Sequence, residues 1–530
     1  MNLRHLKTIR IVLSILVMLL FIQLFIGIDA ALLQPASEFF LRLQVLPSLL
    51  RFLALFFTIS GLGFLVVFLL TFFVGRVYCS SICPLGTLQD VITRAANLFK
   101  KKKRRKFVYS SNRKRMLRYG VLALTLVLWL SGSLFLVNLL DPYSNFGKLS
   151  VTFLQPAYIW LNNLLSGALE ARGSYAVSPL AGKVLPWEVV LVSGGILLTL
   201  VIMASLRGRL FCNTLCPVGA MLGLIAAKSR YQIAFREAAC NACGRCERVC
   251  KAECINSKTR EVDPSRCISC FNCFASCHNG GLTYLSFSDV RAQKNRSGRQ
   301  EEMGGQEQNK RRFMLGLVSA LLSIPLLKKA GLAQGNNQPG MVPTGTLHPV
   351  TPPGSVSHDH FTGNCTACYL CVSVCPTQVI VPSFFDYGLE GFMQPKLDFQ
   401  RSFCNYDCVR CTEVCPTGAI TRQTREDKQR IQIGVARFMV ESCIVMVDRT
   451  DCGACSEHCP TKAVHMVPFN GLFLPEVTPD LCVGCGACEF ACPTEPYKAI
   501  YVESNLLHQE ADPPSEGEGP RESEMEEFPF

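Results

Sequence analysis

The chain has 530 residues, 49% of them hydrophobic and crowded into the first two-fifths, which excludes one large soluble core and argues for a membrane portion. Its formal charge is +13, yet Gly75–Arg118 alone holds thirteen Lys or Arg against one acid, Asp90; the excess is a basic loop beside apolar segments, and no nucleic-acid partner is expected. Twenty-nine cysteines, most in tight triplets, exclude a short secreted disulfide scaffold.

Four apolar runs come first: Ile11–Ile28, Phe52–Val74, Tyr119–Leu140 and Val189–Leu206. Each is long enough to cross a hydrocarbon layer of about 30 Å. Arg4, Lys7 and Arg10 precede the first run, so the N-terminus is expected in the cytoplasm. Alternation then puts the cluster Lys100–Lys106 inside. It leaves Asp141–Leu185 outside, with only Lys148, Arg172 and Lys183 as cations, and returns the chain inside at Arg207 and Arg209. A four-span domain over residues 1–228 follows. None of the runs contains His, and no C-x-x-C-H, GxGxxG or Walker A pattern occurs, so neither haem nor nucleotide is expected.

A repeat sits after the second and fourth runs. Gly75-Arg-Val-Tyr-Cys79-Ser-Ser-Ile-Cys83-Pro-Leu-Gly86 matches Gly208-Arg-Leu-Phe-Cys212-Asn-Thr-Leu-Cys216-Pro-Val-Gly219. Two copies imply two equivalent halves. Paired thiols at this offset can share a metal, form a reversible disulfide or pack as small apolar groups. Cys79, Cys83, Cys212 and Cys216 are therefore redox candidates, their chemistry open.

Over 229–288, Cys240, Cys243, Cys246 and Cys250, then Cys267, Cys270, Cys273 and Cys277, both read C-x2-C-x2-C-x3-C. Such a triplet wraps three corners of an iron–sulfur cube, and the fourth cysteine reaches the other cube. Zinc knuckles use separated C-x2-C pairs instead. Two [4Fe–4S] clusters are expected: one on Cys240, Cys243, Cys246 and Cys277, the other on Cys267, Cys270, Cys273 and Cys250. Cys254 is left as a free thiol. Lys251 and His278 stand where proline usually follows the fourth cysteine.

Residues 289–312 turn polar and read as a linker. Lys310-Arg311-Arg312-Phe313-Met314, which resembles the twin-arginine export motif with lysine in place of the first arginine, then opens the apolar run Phe313–Leu327, a fifth apolar segment within 313–330. It is short for a span and close to an export-signal core. Lys328 and Lys329 follow it, and Gly331-Leu-Ala333 is compatible with cleavage. A buried helix is the bland alternative; the basic flank and preceding linker favour crossing. Residues 331–361, rich in Pro, Gly and Thr, read as an extended connector.

Four more groups fill 362–503: Cys365, Cys368, Cys371 and Cys375; Cys404, Cys408, Cys411 and Cys415; Cys443, Cys452, Cys455 and Cys459; Cys482, Cys485, Cys488 and Cys492. Proline follows every fourth cysteine, and the first gap widens to x3 and x8 in the inner two groups. Four further clusters are expected, six [4Fe–4S] in all, held by twenty-four cysteines. Consecutive and nested pairing are both open, the widened inner gaps favouring nesting. Residues 504–530 are acidic and read as a disordered tail.

The fold class is thus an α-helical membrane domain of four spans, with a fifth apolar segment, and two α+β bacterial-ferredoxin-like multi-cluster domains. Over Met1–Leu285, Cys79, Cys83, Cys212, Cys216 and the eight ferredoxin cysteines resemble the membrane polyferredoxin subunit that oxidises quinol for periplasmic nitrate reductase. Relatives of that family include a nitrous oxide reductase regulator, whose flavin domain has no counterpart here, and a cytochrome oxidase assembly factor. Asn309–Val502, with its Lys310-Arg311-Arg312 leader, resembles the exported four-cluster partner of the same system. Such a fusion implies a multi-pass protein of the bacterial inner membrane, its first ferredoxin domain cytoplasmic and its second periplasmic. It would pass electrons from the quinone pool, or a cytosolic donor, to a periplasmic redox partner, possessing at most a quinol dehydrogenase activity. The alternative is an assembly or maturation factor that reduces a metal or cofactor of a partner oxidoreductase; a purely structural role for the clusters is a third.

Overall fold

The computed structural model describes residues 5–28, 33–55, 61–100, 107–109, 115–183, 185–296 and 348–513. Asn309–Leu327 and the end of the tail lie outside the described residues. Two helices, His5–Ile26 and Trp187–Arg207, run 22 and 21 residues, about 33 and 32 Å at 1.5 Å per residue. They are the two described helices long and apolar enough to cross a membrane. Much of their apolar surface stays exposed, including Val12, Leu16 and Leu19 on the first and Leu191, Leu198 and Leu206 on the second.

The other two expected spans are not continuous helices. Phe52–Val74 is divided between Val45–Ala54 and Gly63–Val74, and 12 residues are too few to cross. Tyr119–Leu140 breaks after Arg115–Leu130 at Ser131-Gly132-Ser133. Gly132 takes φ +89°, its N–H bonds Trp129 O, and Ser133 N–H bonds Leu128 O. This two-bond closure needs a residue without Cβ strain at the left-handed position, and it stops the helix.

The stretch Asp141–Leu185, expected outside, is largely helical. Pro142–Leu149 forms a helix with every residue buried. Asp141 caps it by accepting from Ser144 N–H at 2.8 Å, and Pro142 suits its first turn. Tyr143 and Phe146 pack edge-on or tilted against Phe21 and Phe25 of the first long helix, ring centroids 5.7–6.5 Å apart. A π turn, Ser150–Leu154, leads into Gln155–Glu170.

The sequence repeat is a structural one. Gly75 and Gly208, at φ +87° and +63°, end Gly63–Val74 and Trp187–Arg207. Short helices Val77–Ser81 and Leu210–Thr214 follow. Cys83 and Cys216 then sit as N-caps, with Pro84 and Pro217 opening Pro84–Phe99 and Pro217–Ala226.

In the first cysteine-rich unit, Tyr231–Phe235 pairs antiparallel with Leu282–Ser286, Tyr231 opposite Ser286. Between them lie a short hairpin, Ile255–Asn256 with Glu261–Val262, and the helices Arg245–Arg248 and Asn272–Ser276. A helix, Phe287–Arg296, extends into the expected linker. The second unit repeats triplet and short helix four times, with Leu370–Val374, Arg410–Val414, Ala454–Glu457 and Ala487–Ala491. Its longest strands, Ile431–Phe438 and Ile500–Glu510, are antiparallel partners.

Both boundaries of that unit move outward. The expected connector is structured from His348: Leu397 N–H bonds Val350 O and Thr421 N–H bonds Gly354 O. There Pro352-Pro353 and Gly354, at φ +86°, set a fixed turn. The expected tail begins as strand through Glu510, because its backbone pairs with Gln432 and Ile431.

The two units seat at opposite ends of the helical part. At the first helix's N-terminal end, Arg10 bonds Ser80 O and Asp90, and Asp90 also meets Lys251 of the first unit at 3.1 Å. At its C-terminal end Gln155 Nε2 donates to both Ile26 O and Ser373 O of the second unit, each at 3.2 Å. Lys183 adds bonds to Val372 O and Ser373 O, both 2.9 Å. One continuous core joins the helices to the first unit and the first half of the second; the last two cysteine groups have their own.

Candidate metal centres

The C-x2-C-x2-C loops adopt one backbone shape wherever the spacing is regular. The second residue of the first gap and the first of the second gap are left-handed in all four: Ala242 and Gly244, Ser269 and Phe271, Ala367 and Tyr369, Gly484 and Gly486, φ between 50° and 77°. A side chain there costs about 1–2 kcal/mol, so the loops are held in a curl that wraps a centre. Such curls turn successive N–H groups inward, toward an anion. In the widened groups Val409 and Gly453, just before the third cysteine's helix, stay at negative φ. Nothing in the cysteine spacing names these φ positions.

The structure brings the cysteines together in fours. Cys240, Cys243, Cys246 and Cys277 line one cavity; Cys250, Cys267, Cys270 and Cys273 line another. In the second unit Cys415 is an electrostatic neighbour of Cys365, Cys368 and Cys371, and Cys375 of Cys404 and Cys411, which also face Cys408. Cys492 likewise faces Cys443 and Cys455, which also face Cys452; Cys459 faces Cys482, Cys485 and Cys488. Groups therefore exchange their fourth cysteine consecutively, and the nesting favoured by the widened gaps does not occur. Proximity in the chain wins: the closing strands bring neighbouring groups together first.

Among the described residues no three His, Cys, Asp or Glu side chains converge closely enough for a single ion, the triplets included. In a cube each sulfur binds its own iron, so the four stand further apart than around one zinc. Burial pushes the Cys368 and Cys485 thiols up to about 12 and Cys246 and Cys455 to about 11. Loading a metal core would displace those protons. Donor type, number and loop curl all fit [4Fe–4S].

Cys254, expected as a free thiol, sits beside one of the cysteine sets. It is buried, its sulfur 3.4 Å from Cys250 Sγ, and it lines the same cavity as the Cys267 triplet. The four thiols of the paired motifs are 4–5% exposed and come together where the repeats meet. Cys216 has Cys212, Cys83 and Cys79 as neighbours, and Cys83 has Cys212 and Cys79.

Three family models match. One described as a 4Fe-4S binding domain covers residues 56–106 and 190–233, which carry the paired motifs. Two described as 4Fe-4S dicluster domains cover 364–420 and 448–495. The ferredoxin-type protein NapF of Escherichia coli is 28% identical over 137 residues, 26% of this chain and 74% of NapF. The methylamine utilization ferredoxin-type protein MauN of Methylobacillus flagellatus is 28% identical over 220 residues, 41% of this chain and 61% of MauN. The chain is polyferredoxin-like. An uncharacterized protein of Methanocaldococcus jannaschii is 24% identical over 233 residues, 42% of this polyferredoxin-like chain and 70% of its own length. No solved structure matches.

In this polyferredoxin-like chain the last two pairs of cysteine sets touch. Cys404 N–H donates to Cys485 O at 2.9 Å, joining the set of Cys375, Cys404, Cys408 and Cys411 to that of Cys459, Cys482, Cys485 and Cys488. The order away from the helical part is the Cys365 set, the Cys404 set, the Cys482 set and then the Cys443 set. Sequence order would have put the last two the other way round.

Proposed function

We propose that the chain is a membrane-bound iron–sulfur wire of six [4Fe–4S] clusters, carrying electrons from quinol, or a cytosolic donor, to a periplasmic redox partner. The observation that carries this is the seat of one ferredoxin unit at each end of His5–Ile26, whose length of about 33 Å matches a hydrocarbon layer of about 30 Å. The exposed apolar faces of both long helices support a lipid surround. The basic loop Gly75–Arg118, beside the end that holds the first unit, supports that end as cytoplasmic. On this account the stretch from Asn309 to Leu327 takes the chain across, and the second unit's clusters stand in the periplasm.

NapF and MauN are ferredoxin-type by name, which supports electron transfer between proteins as the shared task. The geometry suits a carrier: the Cys404 and Cys482 sets are joined by a direct backbone contact, and the Cys365 set lies against the helical part, Lys148 facing Cys365 and Cys368. The test is anaerobic addition of a quinol analogue to the full chain in detergent. Bleaching of the cluster absorption with new reduced-cluster resonance supports quinol as donor. Inertness to quinol together with reduction by a cytosolic ferredoxin would leave the cytosolic donor; inertness to both would overturn the wire.

A further inference from the structure

Where the helical part meets the second ferredoxin unit, the seam opens into a cavity. One wall is built from the helices Gln34–Arg42 and Val45–Ala54, which follow the C-terminal end of His5–Ile26 in the chain; the other is the stretch from Thr412 to Arg422. Leu41 and Leu55 line it from the helical side, Val414, Pro416 and Ile420 from the other. Gly418 holds the two walls close: a Cβ there would meet Leu55 at 3.5 Å and Ala54 at 3.6 Å. The same two helices leave Phe39 and Leu53 exposed, so the cavity sits beside surface suited to lipid.

Polar groups are set into these apolar walls. Arg51 reaches Cys415 O at 3.5 Å, and its Nε is buried without a hydrogen-bond partner among the described residues. A buried donor left unpaired is costly, and an acceptor from outside the chain would satisfy it. Glu38 and Glu413 line the same cavity, with Arg42 and Arg422. Glu38 and Arg42 pair at 3.2 Å, both side chains more than half exposed. Three guanidiniums against two carboxylates leave one net positive charge, too little to select a polyanion. Apolar walls, a buried N–H donor and carboxylates open to water suit a flat neutral ring with oxygens at two edges and protons to lose. Cys415 adds the chemistry, for this wall residue is also the fourth thiol of the Cys365 set.

We propose that this cavity binds the quinol, with Arg51 Nε donating to one ring oxygen, and that quinol electrons enter the wire here, beside Cys415. The proposal rests on the quinol reading above and adds the place of entry, the second ferredoxin unit rather than the first. Oxidation breaks two O–H bonds. The two protons pass to the carboxylates of Glu38 and Glu413 and on to water. The two electrons leave singly for one-electron iron–sulfur acceptors, the Cys365 set first and the Cys404 set next. The quinone that remains keeps two carbonyl oxygens and no O–H, so its bonds to the carboxylates are gone and it is released toward lipid.

The experiment uses the full chain, purified anaerobically in detergent, with an azido-naphthoquinone as photolabel and a naphthoquinol as reductant. Label is expected on peptides within 34–55 and 412–422, displaced by unlabelled naphthoquinone and not by phosphatidylglycerol. Label confined to other segments, or displaced by the phospholipid as readily as by the quinone, would overturn the site. Arg51→Gln should slow reduction of the Cys365 set by naphthoquinol about tenfold, the worth of one hydrogen bond from a charged donor. Leu41→Trp, which fills the cavity from its apolar side, should slow it at least as much. Dithionite should still reduce every set in both variants to the extent seen in the full chain, which shows the sets intact. A naphthoquinol rate unchanged in both variants would overturn the site and leave quinol as donor. A full chain labelled in the cavity yet inert to naphthoquinol would overturn the entry, and with it quinol as donor, and leave the cavity as a quinone-binding site.

Discussion

Arg209 of the second repeat donates from Nη1 to the Cys79 carbonyl of the first at 2.9 Å. Arg76 returns the bond to the Cys212 carbonyl at 3.3 Å. Each carbonyl lies against the glycine that closes its own motif, so a Cβ on Gly86 would strike Cys79 O and one on Gly219 would strike Cys212 O. Gly86→Ala and Gly219→Ala should each destabilise the chain by about 1–3 kcal/mol through overpacking. Gly120→Ala, where a Cβ meets nothing within 4 Å, should gain up to about 1 kcal/mol from helix propensity. Thermal unfolding in detergent separates the two classes.

Asp90 ties four parts of the chain together: Arg10 at 2.5 Å, Arg209 at 2.9 Å and Lys251 at 3.1 Å surround its carboxylate. Asp90→Asn leaves three buried cations short of an anion and should cost about 3–5 kcal/mol. Burial raises the carboxyl's affinity for protons, but Arg209, Lys251 and Arg10 overcome it and hold the group well below the usual carboxylate range. The folded value lies under the unfolded one, so the stabilisation is full above about pH 4 and fades only as pH falls below that. The stability gap between the native chain and Asp90→Asn should therefore stay constant from pH 8 to pH 5; a gap that shrinks within this window would contradict the pairing.

How much of this was legible in the residues varies by element. Cysteine spacing singled out twenty-four candidate ligands, six triplets and the six fourth cysteines that follow them, because a cube asks for closely spaced thiols whatever the surrounding fold. It could not mark the partners of Cys375, Cys415, Cys459 and Cys492, which depend on which strands close together. Hydropathy found His5–Ile26 and Trp187–Arg207 but joined Gly63–Val74 to its neighbour and ran through Gly132, since composition does not register a Schellman stop. Alternation of the spans placed Asp141–Leu185 outside and said nothing of how its residues fold. The residues of Asp141–Leu149 are buried against each other and the Cys365 set, a tertiary arrangement with no local signal.

The seat of His508 carries a pH dependence. Its Nε2 lies 2.8 Å from Thr351 Oγ1, its backbone N–H bonds Val356 O, and burial pulls its ring down to about 4. The folded value is below the unfolded ~6.5, so the neutral ring's contribution is complete above about pH 6.5 and is lost as pH falls toward 4. Amide protection around Val356 and Leu507, corrected for intrinsic exchange, should decline across that window. His508→Gln should flatten the decline; an unchanged profile would show that another group is responsible.

On the proposed wire, the contact of Cys404 with Cys485 implies an order of reduction. Cys408→Ser should stop electrons entering from the helical end before they reach either the Cys482 set or the Cys443 set. Cys452→Ser should silence only the Cys443 set. Freeze-quench resonance after anaerobic reduction reads this directly, and a Cys482 set that still reduces in Cys408→Ser would refute the order.

The central claim is that one chain carries electrons from one side of a membrane to the other, and a sealed vesicle tests it most directly. The full chain is reconstituted with its first ferredoxin unit outward and an oxidised cytochrome trapped in the lumen, and a membrane-impermeant reductant is added outside. The account predicts that the trapped cytochrome is reduced at a rate tracking the chain's density in the membrane. A cytochrome that stays oxidised while the outward clusters bleach would contradict it.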